Sequence, residues 1–137
     1  MHRIAIRTDR REQLVDVTRE VADAVSALGL ASGAVLVFCP HTTAGITVNE
    51  GYDPDVAADV LRWMTGRVPH DDGYAHAEGN SDSHIKASLV GSSATLLIEE
   101  GSPVLGRWQG VYFCEFDGPR RRELIVKPLS FRSSVGD

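Results

Sequence analysis

The chain has 137 residues, 42% of them hydrophobic and 24% charged, with a formal net charge of −5; that is enough apolar material for one soluble domain with its own core. The acidic balance excludes general nucleic-acid binding, which needs a cationic face to displace counterions, but it leaves room for a small anion held by a few local Lys or Arg residues. No apolar run approaches the roughly 18 residues that cross a bilayer, and Met1 to Arg7 lacks a signal-peptide apolar region, so the expectation is a single domain over residues 1–137, cytoplasmic, with no membrane partner.

In chain order, Ile4 to Thr8 reads as a strand. Leu14, Val17, Val21, Val25 and Leu28 recur at spacings of three and four and predict one helical stripe, ended by Gly29. Ala34 to Cys39 is a continuous apolar run, the pattern of a strand covered on both faces, and Pro40 stops it. Ile46 to Val48 continues as a short strand. Asp53-Pro54 fits a helix N-cap followed by Pro at the first helical position, and that helix carries Val56, Val60, Leu61 and Met64 as far as Pro69. Residues 70–81 form a polar loop. Ser81 or Asp82 caps a short helix through His84, Ile85 and Leu89, ended by Gly91. Ala94 to Glu99, Arg107 to Phe116 and Glu123 to Leu129 read as three more strands with hairpin-like links, the last through Asp117-Gly118-Pro119. Consecutive strands favour antiparallel pairing. The fold class expected is α+β: a mainly antiparallel sheet or sandwich with helices on the outside. Cys39 and Cys114 both lie in apolar strand-like runs, which predicts buried, reduced thiols and rules out a four-cysteine zinc site.

The chemistry concentrates in the histidines. His41 follows a buried strand directly, where rigid elements present reactive groups, and His76 and His84 bracket the polar stretch Ala77 to Ser83. Imidazole binds transition metals and moves protons near neutral pH. Glu78 and Asp82 are available as ligands or acceptors beside them. A helix opening at residues 82–84 would also offer free backbone N–H groups to an anion, with Lys86 adding positive charge at the same end. His70, beside two aspartates at a helix exit, reads as a surface residue. Glu115 shares its strand face with Val111 and Phe113 by alternation; a carboxylate there either faces solvent or is paired, and as a site residue it would be a metal ligand or general base. Arg120, Arg121 and Arg122, and separately Arg107, are either solvated or clamps for phosphate oxygens. No Walker loop, dinucleotide fingerprint or H-E-x-x-H motif occurs, so no nucleotide cofactor is expected.

Three segments carry a resemblance: His41 to Glu50 (HTTAGITVNE), Glu78 to Gly91 (EGNSDSHIKASLVG) and Gly106 to Arg120 (GRWQGVYFCEFDGPR). With these the chain resembles the YjbQ-like family, named for a secondary thiamine-phosphate synthase activity. The resemblance covers nearly the whole chain. It implies a compact domain assembling as a homotrimer, with histidine-rich pockets near subunit boundaries. Carried over by motif, His41, His76, His84 and Glu115 form the polar pocket, and Asn49, Glu50, Asn80, Asp82, Ser83 and Lys86 surround it. The implied reaction joins a hydroxymethylpyrimidine diphosphate to a thiazole phosphate with loss of pyrophosphate.

Three functions therefore stand side by side. In the synthase, His41, His84, Glu115 and Asp82 would be the catalytic set, Lys86, Arg107 or Arg120 would neutralise the leaving pyrophosphate, and carboxylates would hold a magnesium ion. In a metal-assisted hydrolase of a small phosphorylated metabolite, His41, His76 and His84 would hold a divalent ion such as zinc, and Glu115 would accept a proton from its bound water. The third is a non-catalytic trimeric module that binds a metal or small molecule.

Overall fold

The computed structural model describes residues 1–130; the last seven residues of the expected 1–137 domain lie outside the described residues. The elements in order are β1 (His2–Arg7), β2 (Gln13–Asp16), α1 (Thr18–Ala27), β3 (Gly33–Phe38), β4 (Ala44–Glu50), α2 (Pro54–Arg67), α3 (Ser81–Val90), β5 (Ser93–Glu99), β6 (Ser102–Pro103), β7 (Gln109–Glu115) and β8 (Arg121–Pro128). They build two antiparallel sheets, one ordered β1-β8-β3-β5-β6 and the other β2-β7-β4. The fold is mixed α+β, as expected.

The main core lies where the two sheets and α1 meet. The larger sheet contributes Val35, Val37, Leu96, Ile98, Leu124 and Val126, the smaller Ile46, Val111 and Phe113, and α1 adds Val21, Ala24 and Val25. A second cluster forms on the opposite face of the smaller sheet, where Tyr112, Cys114 and Phe116 meet Met64 of α2 and Ala87 of α3. Strand alternation explains the division: Val111 and Phe113 point one way, Tyr112 and Cys114 the other. Both cysteines are free and buried, and burial pushes the Cys114 thiol up to about 12.

Four local expectations need correction. The apolar stripe from Leu14 to Leu28 is not one helix. Leu14 lies in β2 opposite Cys114, and α1 begins only after Asp16, whose Oδ1 accepts from the Thr18 N–H at 2.9 Å. Leu14 falls three residues before Val17 and so mimics the helical period. The cap of α3 is Asn80, one residue earlier than expected. β7 and β8 are not a hairpin: Asp117 to Arg120 carries the chain from one sheet to the other. Gly118 sits at that corner, where a Cβ would lie 2.3 Å from the Arg10 carbonyl oxygen and 2.8 Å from Thr8 Oγ1. Finally, β3 is fully covered on one face and only partly on the other, where Ala34 and Leu36 are half-buried. Val35 and Val37 are fully buried, whereas Phe38 is 36% exposed. Asp53 is the N-cap of α2, accepting from the Asp55 N–H at 2.9 Å, as its sequence predicts.

Candidate functional site

α3 is seated against β4 by a close approach. The Ile46 N–H donates to the Gly91 carbonyl at 3.0 Å, and a Cβ on Gly45 would come within 2.6 Å of that same oxygen. Only glycine lets the helix end approach so closely. The seat opens a cavity of about 440 Å³ lined by His41, Thr42 and Ala44 on one wall and His84, Ala87, Ser88, Gly91 and Ser92 on the other. Two imidazoles and three hydroxyl side chains thus face one space, in the size range of small-molecule sites. We expect Gly45→Ala to displace α3 and cost about 1–3 kcal/mol of stability, checked by thermal unfolding.

The two histidines differ. His41 Nε2 accepts the backbone N–H of Glu123 at 2.9 Å. Burial, then the positive charge of Arg122, pushes this imidazole below its ordinary range. His41 is therefore held neutral with its proton on Nδ1. We expect ring nitrogen shifts in a two-dimensional NMR spectrum to show that tautomer; the Nε2–H tautomer would contradict the hydrogen bond. His84 lies in the first turns of α3, and no side-chain hydrogen bond engages its ring among the described residues. Its ring centroid is 5.4 Å from that of His76, nearly perpendicular. Together His76 and His84 line a second cavity of about 390 Å³ with Tyr74, Ala75, Ser81 and Ile85. His84 is the wall shared by both spaces.

The carboxylates expected in the site are elsewhere engaged. Glu115 is fully buried. Its Oε1 accepts from Thr8 Oγ1 at 2.7 Å and Arg122 Nε at 2.9 Å, and its Oε2 accepts from Arg122 Nη2 at 2.5 Å and the Asp117 N–H at 3.2 Å. Every acceptor position of this carboxylate is filled, so Glu115 is a structural ion-pair residue rather than a base or metal ligand. Asp82 is likewise fully buried. It takes a two-pronged contact from Arg11 at 2.9 and 3.0 Å and another from Lys86 at 2.9 Å. Burial pushes the Asp82 carboxyl up, but the hydrogen bonds from Arg11 and Lys86 outweigh it and hold its pKa at about 2. Lys86 is itself fully buried between Asp82 and Glu12, and Ser83 donates to the Phe116 carbonyl at 2.5 Å. Neither can reach a ligand as expected.

The remaining expected residues are scattered. Asn49 and Glu50 line a separate, mainly apolar cavity of about 70 Å³ beneath α2. Asn80 donates to Asp117 Oδ2 at 2.9 Å. Arg107 stacks over Trp108, 4.8 Å from the ring centroid. Arg120 is tied to the Asp117 carbonyl and carboxylate at 2.7 and 2.9 Å. Among the described residues no three His, Cys, Asp or Glu side chains group as a metal site, and Nε2 of His41 is already engaged. Within one chain His41, His76 and His84 therefore do not close around one ion, and of the carboxylates expected beside them Asp82 and Glu115 are already paired, whereas Glu78 is exposed next to His76.

Arg11, Glu12 and Thr8 complete these networks, and sequence reasoning missed all three; Thr43, which follows His41 in the HTTAG segment, accepts from Arg122 Nη2 at 2.8 Å. Arg11 lies 71 residues from Asp82 and Thr8 107 residues from Glu115, separations that leave no local signal. The Asp82–Lys86 pair did have one, the i,i+4 spacing on a helix.

A family model described as UPF0047 protein YjbQ-like matches residues 2–130. The chain belongs to the YjbQ-like UPF0047 family. Among members of this family it is similar to a UPF0047 protein of Methanocaldococcus jannaschii, 50% identical over 89% of this chain and 88% of the relative. It is also similar to YugU of Bacillus subtilis, 48% identical over 92% of this chain and 96% of the relative. A YjbQ/UPF0047-family crystal structure from Clostridium acetobutylicum superposes with a TM-score of 0.92 at 49% identity, covering 94% of this chain and all of that one. Among the described residues, no helix of this YjbQ-like chain is long and apolar enough to cross a membrane.

Proposed function

We propose that this YjbQ-like protein binds a small phosphorylated metabolite in the cavity between His41 and His84, and that His84 gives a proton to the departing phosphate group. One observation carries the reading: two imidazoles and three hydroxyls face one 440 Å³ space, while the neighbouring charged side chains of α3 are locked in buried ion pairs. His41, held neutral, orients the ligand through its Nδ1–H. His84 is the imidazole free to give or take a proton. The thiamine-phosphate synthase reaction is the specific form we favour. The thiazole nitrogen forms a bond to the pyrimidine methylene carbon as the C–O bond to pyrophosphate breaks, and the departing pyrophosphate needs positive charge where negative charge develops. With Lys86, Arg107 and Arg120 engaged elsewhere, protonated His84 is the group facing the cavity that can supply it. In the trimer that the family resemblance suggests, a neighbouring copy would add to this wall. A cytoplasmic setting suits such a metabolite.

The experiment is turnover of hydroxymethylpyrimidine diphosphate and thiazole phosphate, read as pyrophosphate release. We expect His84→Gln to lose about 10²–10⁴-fold in rate and His70→Gln, in the polar loop, to lose nothing. Full turnover by His84→Gln would overturn the assignment.

A second reading is a binding module without turnover. It is favoured by the absence of a carboxylate holding the His84 ring among the described residues, since a catalytic imidazole is ordinarily oriented by a third group. Retained calorimetric binding with no turnover in the wild type would select it.

A further inference from the structure

The register of β1 against β8 sets Arg7 directly opposite Arg121. Like charges facing each other across an antiparallel pair destabilise the sheet, and neither guanidinium forms an ion pair among the described residues. This is not a generally basic surface, because the chain carries a net charge of −5. Both arginines line a cavity of about 430 Å³ together with Thr8, Asp9, Pro119 and Arg120. Arg120 is fixed in place, its Nε and Nη2 bonded to the Asp117 carbonyl and carboxylate. The floor is equally rigid: the Thr8 N–H donates to the Arg120 carbonyl at 3.0 Å, and Thr8 Oγ1 accepts the Arg120 N–H at 2.9 Å.

We infer that Arg7 and Arg121, beside Arg120, form a receptor for a small phosphate or diphosphate anion, distinct from the His41–His84 cavity. Two guanidiniums without an ion pair, Arg7 and Arg121, line one hollow beside Arg120, whose Nε and Nη2 are held by Asp117, and guanidinium geometry matches phosphate oxygens in pairs. Asp9 is the carboxylate on its rim. Asp9 and the Asp117 carboxylate bonded to Arg120 offset two of the three positive charges and leave a surplus of one, suited to a small anion rather than to a polyanion such as nucleic acid. A bound anion would relieve the repulsion between Arg7 and Arg121, so occupancy and sheet stability are linked.

The test titrates inorganic pyrophosphate, and separately inorganic phosphate, into the full chain, read by calorimetry and by the rise in melting temperature. We expect saturable binding that weakens with added salt. The double substitution R7Q/R121Q should lower the affinity of this site by about tenfold or more and abolish the part of the melting-temperature rise that H84Q retains. The unliganded double variant should melt no lower than the wild type, since it removes a repulsion, which also shows that it folds. R62Q, on exposed α2, should bind like the wild type. H84Q should bind pyrophosphate here unchanged, so failure at this site and failure at the histidine cavity are separable. Absent binding, or equal binding and equal stabilisation in R7Q/R121Q, would overturn the proposal.

Discussion

Arg122→Met is expected to cost about 3–5 kcal/mol of folding free energy, because it strands the Glu115 carboxylate between the sheets with no cation beside it. Arg122 is 8% exposed and Glu115 not at all. Against the roughly 5–15 kcal/mol by which domains of this size are stable, that loss is a large fraction of the total, and urea unfolding followed by circular dichroism would register it as a lower midpoint. The double replacement Glu115→Leu with Arg122→Met should recover much of the loss, since neither partner is then left orphaned. A single Arg122→Met variant within about 1 kcal/mol of the wild type would mean that the pair is no stronger than an exposed one. The same series separates roles for Glu115. If it were a base in the site, Glu115→Gln would remove activity with stability intact; the geometry demands the reverse order of effects.

Acid should act through Asp82. Its folded-state pKa of about 2 lies below the ordinary 3.8. The unfolded chain therefore binds this proton first as pH falls, and the stability due to Asp82 is present above the unfolded value and lost as pH drops toward 2. The difference corresponds to about 2 kcal/mol, withdrawn between about pH 5 and pH 2. Measured as the slope of unfolding free energy against pH, this limb should be flattened in Asp82→Asn. In Arg11→Gln it should move to higher pH, because the Arg11 contact is the first of the effects that hold the carboxyl down. A slope unchanged in both variants would show that other carboxylates carry the acid sensitivity.

These results would locate the histidine cavity within a frame that charged pairs hold in place. α3 presents two different faces. Asp82, Ser83 and Lys86 turn inward and are sealed, whereas His84 and Ser88, one turn apart, face the cavity. The charged inner face anchors the helix to the β1–β2 connection through Arg11 and Glu12, and the glycine contact at Gly45 anchors its far end. His84 is thereby positioned by residues that do not line its cavity, and motif carry-over placed several of them in the site because they sit beside it in the chain.

By itself the sequence determined the α+β class, the apolar strand β3 and the start of α2 at Asp53-Pro54, because each rests on local periodicity or capping chemistry; it also singled out His41 and His84 by residue type, and the fold brings both to one cavity. Only the tertiary structure decided what the charges do. Asp82, Lys86 and Glu115 read as ligands or bases when seen one segment at a time, and their sealing depends on Arg11, Glu12, Thr8 and Arg122 arriving from other strands. A carboxylate's chemistry is set by the cations and donors within a few ångströms of it, and those neighbours are chosen by the sheet topology.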